Sequence, residues 1–234
     1  MKKKTNYNKI SSGYYDFIYK KKSGIQSAWH HVKFNFVGKK IDKKCKHLDI
    51  GCGPGTFISL LKKTKSIGID ISKNQIFYAK KNYENKYKSF RTYKNKIPLK
   101  NNSIDTISLI ELIEHLEDKD LALLMKECKR VLKKNGKIIF TTPNYFSLWP
   151  ILEIILNFVS PFSYKHQHIN KFNKKKLMIF LKSHNLKIDK IGSFILVSPF
   201  LAPISFKFSL SFINIDNLLC KIFPGFLLFA TVKK

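Results

Sequence analysis

The sequence predicts an α/β fold: a doubly wound, mostly parallel sheet of seven strands, with an N-terminal helix and a helical insert before strand six. Three observations predict it. From Lys46 onward short apolar runs alternate with longer amphipathic ones, and turn residues punctuate that alternation at Gly51–Gly55 and Asn135-Gly136. A chain of 234 residues is also long enough to bury one sizeable core, and its hydrophobic share of 44% suits a folded protein.

In chain order, residues 1–12 read as a flexible basic tail and residues 13–234 as one domain. Tyr14 to Val37, with Trp29, Val32 and Phe36 at helical spacing, predicts one helix ending near Gly38. Strands are predicted at His47–Ile50, Ser66–Ile69, Ser89–Thr92, Ile104–Leu109 and Lys137–Thr141. Helices fall between them at Thr56–Lys63, Lys73–Tyr87 and Lys119–Leu132. After Asn144 the alternation fails, and residues from about 145 to 185 form the insert. Phe146–Val159 reads there as an apolar helix and Lys174–His184 as an amphipathic one. A strand at Leu186–Val197, an irregular proline-containing stretch and a last strand at Gly225–Val232 complete the sheet.

The formal net charge of +29 has two readings. Such a field attracts polyanions, either nucleic acid or an anionic membrane surface. Alternatively, abundant Lys, Asn, Ile, Phe and Tyr together are the residue bias of an AT-rich coding sequence. All basic side chains except Arg91 and Arg130 are lysines, and they are scattered along the chain. Lysine lacks the planar fork that reads bases, which makes nucleic acid the weaker partner. Cys45, Cys52, Cys128 and Cys220 show no paired spacing, so neither a zinc site nor a disulfide framework is expected. No apolar segment follows the basic N-terminus, and Pro150, Glu153, Pro199 and Pro203 interrupt the longest apolar runs. A cytoplasmic location follows, with peripheral contact at the inner face of the membrane as a further expectation.

One motif carries the functional argument. Leu48-Asp49-Ile50-Gly51-Cys52-Gly53-Pro54-Gly55-Thr56-Phe57 sits at a strand-to-helix junction, with glycines at every second position of the turn. Such a backbone turns sharply and comes close to a ligand. Asp49 at the strand end can accept hydrogen bonds from an ammonium, directly or through water. Amides at the start of the following helix can face a carboxylate. At the end of the second strand Asp70, in Gly68-Ile69-Asp70-Ile71-Ser72, can accept both hydroxyls of a ribose. The glycines alone could be a structural turn; with Asp70 in register they point to an adenosine-containing ligand.

LDIGCGPGTF, GIDIS, IPLKNNSIDTISLIELIEHLED and LKKNGKIIFTTPN together resemble the successive motifs of class I S-adenosylmethionine-dependent methyltransferases. The similarity is to the ubiquinone/menaquinone-biosynthesis-like, small-molecule branch, whose sheet is Rossmann-like. It covers roughly residues 45 to 145 and continues loosely through His168–Phe172. It implies S-adenosyl-L-methionine as cofactor, its methionine end against Gly51, Cys52, Gly53 and Gly55 near Asp49. The ribose would lie on Asp70, the adenine against Ile71, and Ile110 would line the pocket. Lys33 is the counterpart of a basic residue that relatives carry before strand one. The loop Arg91–Pro98 departs from the family, lacking the carboxylate that commonly meets the adenine amino group. Asn95 or a backbone carbonyl would take that place.

Methyl transfer from a sulfonium chiefly requires alignment of two reactants, with a base where the acceptor is a hydroxyl. His115, in the Glu111–Leu116 segment after strand four, is the base candidate, and a structural role at the pocket mouth is the equal alternative. Tyr14, Tyr15, Trp29, His30 and His31 form an aromatic group that would cover the cofactor, and His166 and His168 would line the acceptor site. No three metal ligands stand at recognisable spacing, so no metal is expected. The motifs of base-methylating enzymes (Asp/Asn-Pro-Pro-Tyr and Pro-Cys) are absent. The insert helix Trp149–Val159 either packs over the sheet or rests on an anionic bilayer. The leading expectation is methyl transfer to oxygen on a small metabolite or a lipid- or glycan-precursor acceptor. An RNA methyltransferase using the lysine-rich surface and a non-catalytic cofactor-binding protein stand as alternatives.

Overall fold

A computed structural model describes residues 11–159 and 167–234. Most of the predicted tail, and the candidate His166, lie outside the described residues. Seven strands run in the order β3-β2-β1-β4-β5-β7-β6. They are β1 (Lys46–Ile50), β2 (Lys65–Asp70), β3 (Lys88–Thr92), β4 (Ile104–Ile110), β5 (Leu132–Pro143), β6 (Lys187–Phe194) and β7 (Leu227–Lys233). β1 to β5 are mutually parallel, and β7 is antiparallel to both β5 and β6.

β1 and β4 are central, so both of their faces are covered and their apolar runs are continuous instead of alternating. Leu48, Ile107, Leu109, Ile138 and Phe140 are all fully buried. Each contributes about 1.5–3 kcal/mol by leaving water. The chain builds β1-β2-β3 outward in one direction and then crosses back to β4 on the other side of β1. Beyond the carboxyl ends of β1 and β4 this reversal opens a crevice, which is where such sheets bind ligands.

The helices are α1 (Tyr14–Lys21), α2 (Gly24–Gly38), α3 (Thr56–Leu60), α4 (Lys73–Tyr83), α5 (Asp118–Val131), α6 (Trp149–Val159), α7 (Lys174–Ser183), α8 (Phe206–Ser211) and α9 (Ile213–Leu219). Several expectations need correction. The single N-terminal helix is two, because Lys22 (φ 49°) and Gly24 (φ 76°) both turn left-handed and Ser23 between them is extended. α3 stops at Leu60, short of the expected Lys63. Asn135-Gly136 is not a turn: β5 runs through it, and a Cβ at Gly136 would stand 2.6 Å from the Leu132 side chain. β6 ends at Phe194, since Ile195 adopts φ 65°.

The stretch expected to be irregular holds α8, α9 and a 3-10 turn at Ser198–Leu201. Asp216 organises it from within α9. Its buried carboxylate accepts the backbone N–H groups of Leu196, Val197 and Ser198, and the Ser198 hydroxyl at 2.6 Å. Among the described residues no helix is long and apolar enough to cross a membrane.

Candidate active site

The loop after β1 places Gly51, Gly53 and Gly55 at φ 75°, 51° and 80°. Gly51 and Cys52 donate their N–H groups to Ile69 O at 2.8 and 3.1 Å, tying the loop to β2. A Cβ at Gly55 would lie 2.8 Å from the Phe90 ring, so only glycine fits there. One at Gly53 would meet nothing within 4 Å, which leaves this backbone open to a ligand. The Cys52 side chain turns the other way, into a cluster with Ile58, Ile76 and Phe90. Burial pushes its thiol up, so Cys52 serves the loop through its backbone.

Two carboxylates flank the loop. Asp70 accepts Gly53 N–H at 2.9 Å on one oxygen and Ser72 N–H at 2.8 Å on the other. Burial raises its pKa, and those amides oppose the rise. Asp49 is more deeply buried, and its carboxyl is raised to about 7 by that burial despite a hydrogen bond from the Ser108 hydroxyl. Ser108 is itself bonded to His47 Nε2 at 2.9 Å, and His47 Nδ1 to the Ser66 hydroxyl at 3.2 Å. Because Ser108 gives its proton to Asp49, it accepts from Nε2–H, an assignment made from the network. His47 therefore orients the Asp49 carboxyl across three strands.

Ile71 follows Asp70 and is exposed, Asn95 is exposed on the loop after β3, and Ile110 is partly buried against the Phe57 cluster. Lys33 is buried in α2 and forms an ion pair with Glu111, the residue after β4. Glu111 adopts φ 49°, a conformation costly for a residue with a Cβ, which turns the chain sharply at the strand end.

The N-terminal aromatic group divides. Trp29 packs on Trp149 and Phe226, and His31 stacks on Tyr19 at 3.8 Å between ring centroids. Tyr15 and His30 remain together, with 5.5 Å between centroids. The buried polar residue that holds this segment is Asp16. It accepts hydrogen bonds from Thr56 at 2.9 Å, Tyr78 at 2.8 Å and Tyr83 at 2.5 Å, and pairs with Lys20 at 2.8 Å. Burial would raise its pKa, but Lys20, Tyr83, Tyr78 and Thr56 together hold it below the usual value. Asp16 thus latches α1 onto α3 and α4, the helices that follow the glycine loop and Asp70.

Beyond Glu111 a 3-10 turn, Ile113–His115, meets the segment 167–170. Ile169 N–H and Asn170 N–H donate to Glu114 O at 2.7 and 3.0 Å, and the Asn170 side-chain amide donates to Leu116 O at 2.6 Å. This clamp brings His168 to His115, with 5.0 Å between ring centroids. His115 Nδ1 bonds Gln167 O at 2.9 Å, and burial lowers its pKa to about 4. His168 Nδ1 reaches Glu153 of α6 at 3.0 Å and the Tyr145 hydroxyl at 2.9 Å, and Tyr145 donates to Glu153 at 2.8 Å. Glu114 is fully buried, and neither carboxyl oxygen has a hydrogen-bond partner among the described residues. Burial, reinforced by Glu111, drives its pKa well up.

Glu114, His115 and His168 offer ligand atoms within 4.8 Å of one another. Sequence spacing gave no sign of this grouping, because His168 is distant along the chain.

Residues 48–140 match the family described as Methyltransferase domain. The ubiquinone biosynthesis O-methyltransferase of Coxiella burnetii (strain Dugway 5J108-111) is 31% identical over 119 residues, 48% of this chain and 50% of that protein. An uncharacterized protein of Methanocaldococcus jannaschii is 32% identical over 154 residues, 65% of this chain and 56% of its own length. The chain therefore spans about half the length of the curated relatives it matches. A crystal structure of a SAM-dependent methyltransferase of Thermotoga maritima, titled a possible histamine N-methyltransferase, superposes with a TM-score of 0.64. Its identity is 17%, over 87% of this chain and 88% of that one, so it shows the shared fold. Residues 48–140 thus match a methyltransferase domain, set in a fold shared with solved SAM-dependent methyltransferases.

The residues around the loop fit S-adenosylmethionine, the cofactor named for the Thermotoga structure. A glycine-backed cradle open at Gly53 lies between the carboxyl groups of Asp70 and Asp49. The methyltransferase loop and Asp70 are thus brought together as the sequence predicted. His47, Asp16, Tyr145 and Glu153 were not singled out as site residues. Their only sequence signal is a polar residue inside an otherwise apolar periodic segment.

Proposed function

We propose that the chain transfers the methyl group to a hydroxyl oxygen of a small, largely apolar acceptor held against His115 and His168. The observation that carries this reading is the pair of largely buried imidazoles at the end of β4, with 5.0 Å between their ring centroids. Burial lowers the pKa of both imidazoles, so both are neutral at pH 7, while Glu111 is already paired with Lys33. A neutral imidazole can take the proton of an O–H group, and the Glu153 carboxylate at His168 offsets the positive charge that forms.

The cofactor supplies the methyl group as a sulfonium. The protein's own contributions are alignment and proton handling. Asp70 and the loop would hold the donor, with Asp49 placed to meet its ammonium. His115, oriented by Gln167 O, meets the acceptor proton, while Tyr145 and Glu153 position His168 beside it. The name of the Coxiella relative, an O-methyltransferase, supports the same oxygen chemistry.

The test uses purified protein, methyl-labelled donor and a lipid-plus-metabolite extract, with products separated by extraction and mass spectrometry. Label is expected in an organic-soluble methyl ether. Label found in amines or in RNA would sink the oxygen reading.

A further inference from the structure

α6 and the segment that contains α8 and α9 share a single apolar cluster, and they expose much that is apolar besides. Trp149 and Leu152 of α6, Phe200 of the 3-10 turn, Leu210 of α8 and Ile213 of α9 pack on it. On the solvent side, Phe146, Leu148, Ile151, Ile154 and Ile155 are exposed on and just before α6. Ile204, Phe208, Ile215, Leu218, Ile222 and Phe223 are exposed across the other segment, Ile204 to 80% and Ile222 to 76%. Scattered exposed apolar residues are ordinary, but this many on elements sharing one cluster are not.

Charge distinguishes these elements further. From 144 to 159 the sole carboxylate is Glu153, turned inward onto Tyr145 and His168. From 194 to 226 it is Asp216, buried under four hydrogen bonds from 196–198. The exposed ionic groups left on these two stretches are Lys207 and Lys221. Their outer surface is apolar with cations and no anion, on a chain of net charge +29. The helices are short (11, 6 and 7 residues), suited to lying in an interface and not to spanning one.

We propose that α6 and the 3-10 turn–α8–α9 segment form a docking surface for an anionic lipid bilayer. Scattered lysines without a stereospecific arginine cluster suit a diffuse anionic surface, and exposed Ile and Phe side chains insert among acyl chains. The surface also reaches the site. The α6 helix that turns Ile154 and Ile155 outward carries Glu153 inward to His168, so a bilayer-borne acceptor meets the cleft at the docked helix. That second point rests on the proposed acceptor site; the docking itself does not.

Sedimentation with phosphatidylcholine vesicles, with and without phosphatidylglycerol, tests it. Binding is expected with phosphatidylglycerol, weakening as salt rises. The triple substitution Ile204→Ser, Ile222→Ser, Phe223→Ser keeps the net charge and should weaken that binding at least about tenfold. Donor affinity in this variant is expected to be unchanged, which shows the fold intact. Lys207→Glu with Lys221→Glu should weaken it similarly. Failure to bind anionic vesicles overturns the proposal. So does equal binding by the triple variant, which would mean attraction by charge alone, or a wild-type dimer that the triple variant dissolves, which would mean a second copy covers the face. None of these outcomes depends on methyl transfer, so the oxygen reading stands or falls separately.

Discussion

The donor half and the acceptor half of the cleft are built by different means. Around Gly51–Gly55 and Asp70 the positions follow from two parallel strands and a turn. Asp70 reaches Gly53 because β1 and β2 pair in register, Asp49 opposite Gly68. Around His115 nothing comparable operates. His115, His168, Tyr145 and Glu153 come from a turn, an insert and a helix, and the backbone clamp of 169–170 on Glu114 brings them together. The difference teaches that the donor half should tolerate changes in the acceptor half, whereas the acceptor half depends on the whole domain.

Substitutions can break or sharpen that contrast. The largest effect is expected from Asp70→Ala, which removes the proposed ribose acceptor and the partner of two backbone amides. Donor affinity should fall about a hundredfold or more by calorimetry, with about 1–2 kcal/mol of loop stability lost as well. Unchanged affinity would move the ribose site elsewhere. Asp16→Ala comes next, because it leaves Thr56, Tyr78, Tyr83 and Lys20 without their common partner. Urea denaturation should show about 2–4 kcal/mol lost. Since the Asp16 pKa is lowered in the fold, its contribution is present above the unfolded value and is lost as pH falls through the folded one.

In the acceptor half, His115→Ala should slow turnover about 10–100-fold while donor affinity stays the same. With its pKa near 4, the wild-type histidine stays neutral down to about pH 5, so it should add no inflection near 6.5 to the rate profile. Full activity in the variant would leave His115 a structural role. The smallest effect concerns Asp49. Its carboxyl titrates near 7 in the ligand-free fold, and an ammonium partner favours the ionised form. Donor binding should then release a proton below pH 7, weakening by up to about tenfold per pH unit as pH falls. Asp49→Asn should abolish that slope.

The raised Asp49 pKa also has a stability sign. Its folded value lies above the unfolded one, so the protonated form's contribution is complete at low pH and is lost as pH rises through about 7. The protein without donor should therefore lose stability across that window, and Asp49→Asn should not.

Much of the donor half was legible in the residues themselves. Leu48 to Phe57 and Gly68 to Ser72 announce strand ends and a tight turn through local composition, and apolar periodicity marked all seven strands. Those signals are local because each reports the burial of a few neighbouring side chains. What sequence could not decide was tertiary. Ser23-Gly24 is a turn dipeptide, but the left-handed backbone at Lys22 and Gly24 is what separates two helices there, and Asp16 is one acid in a tyrosine-rich run until Thr56, Tyr78 and Tyr83 surround it. Proline and phenylalanine made 198–223 look irregular, yet Asp216 caps three amides there and orders it. His168 acquires chemistry only where Glu114 O captures its neighbours. A buried polar group takes its meaning from partners distant in the chain. Folding supplies those partners, and no run of adjacent residues encodes them.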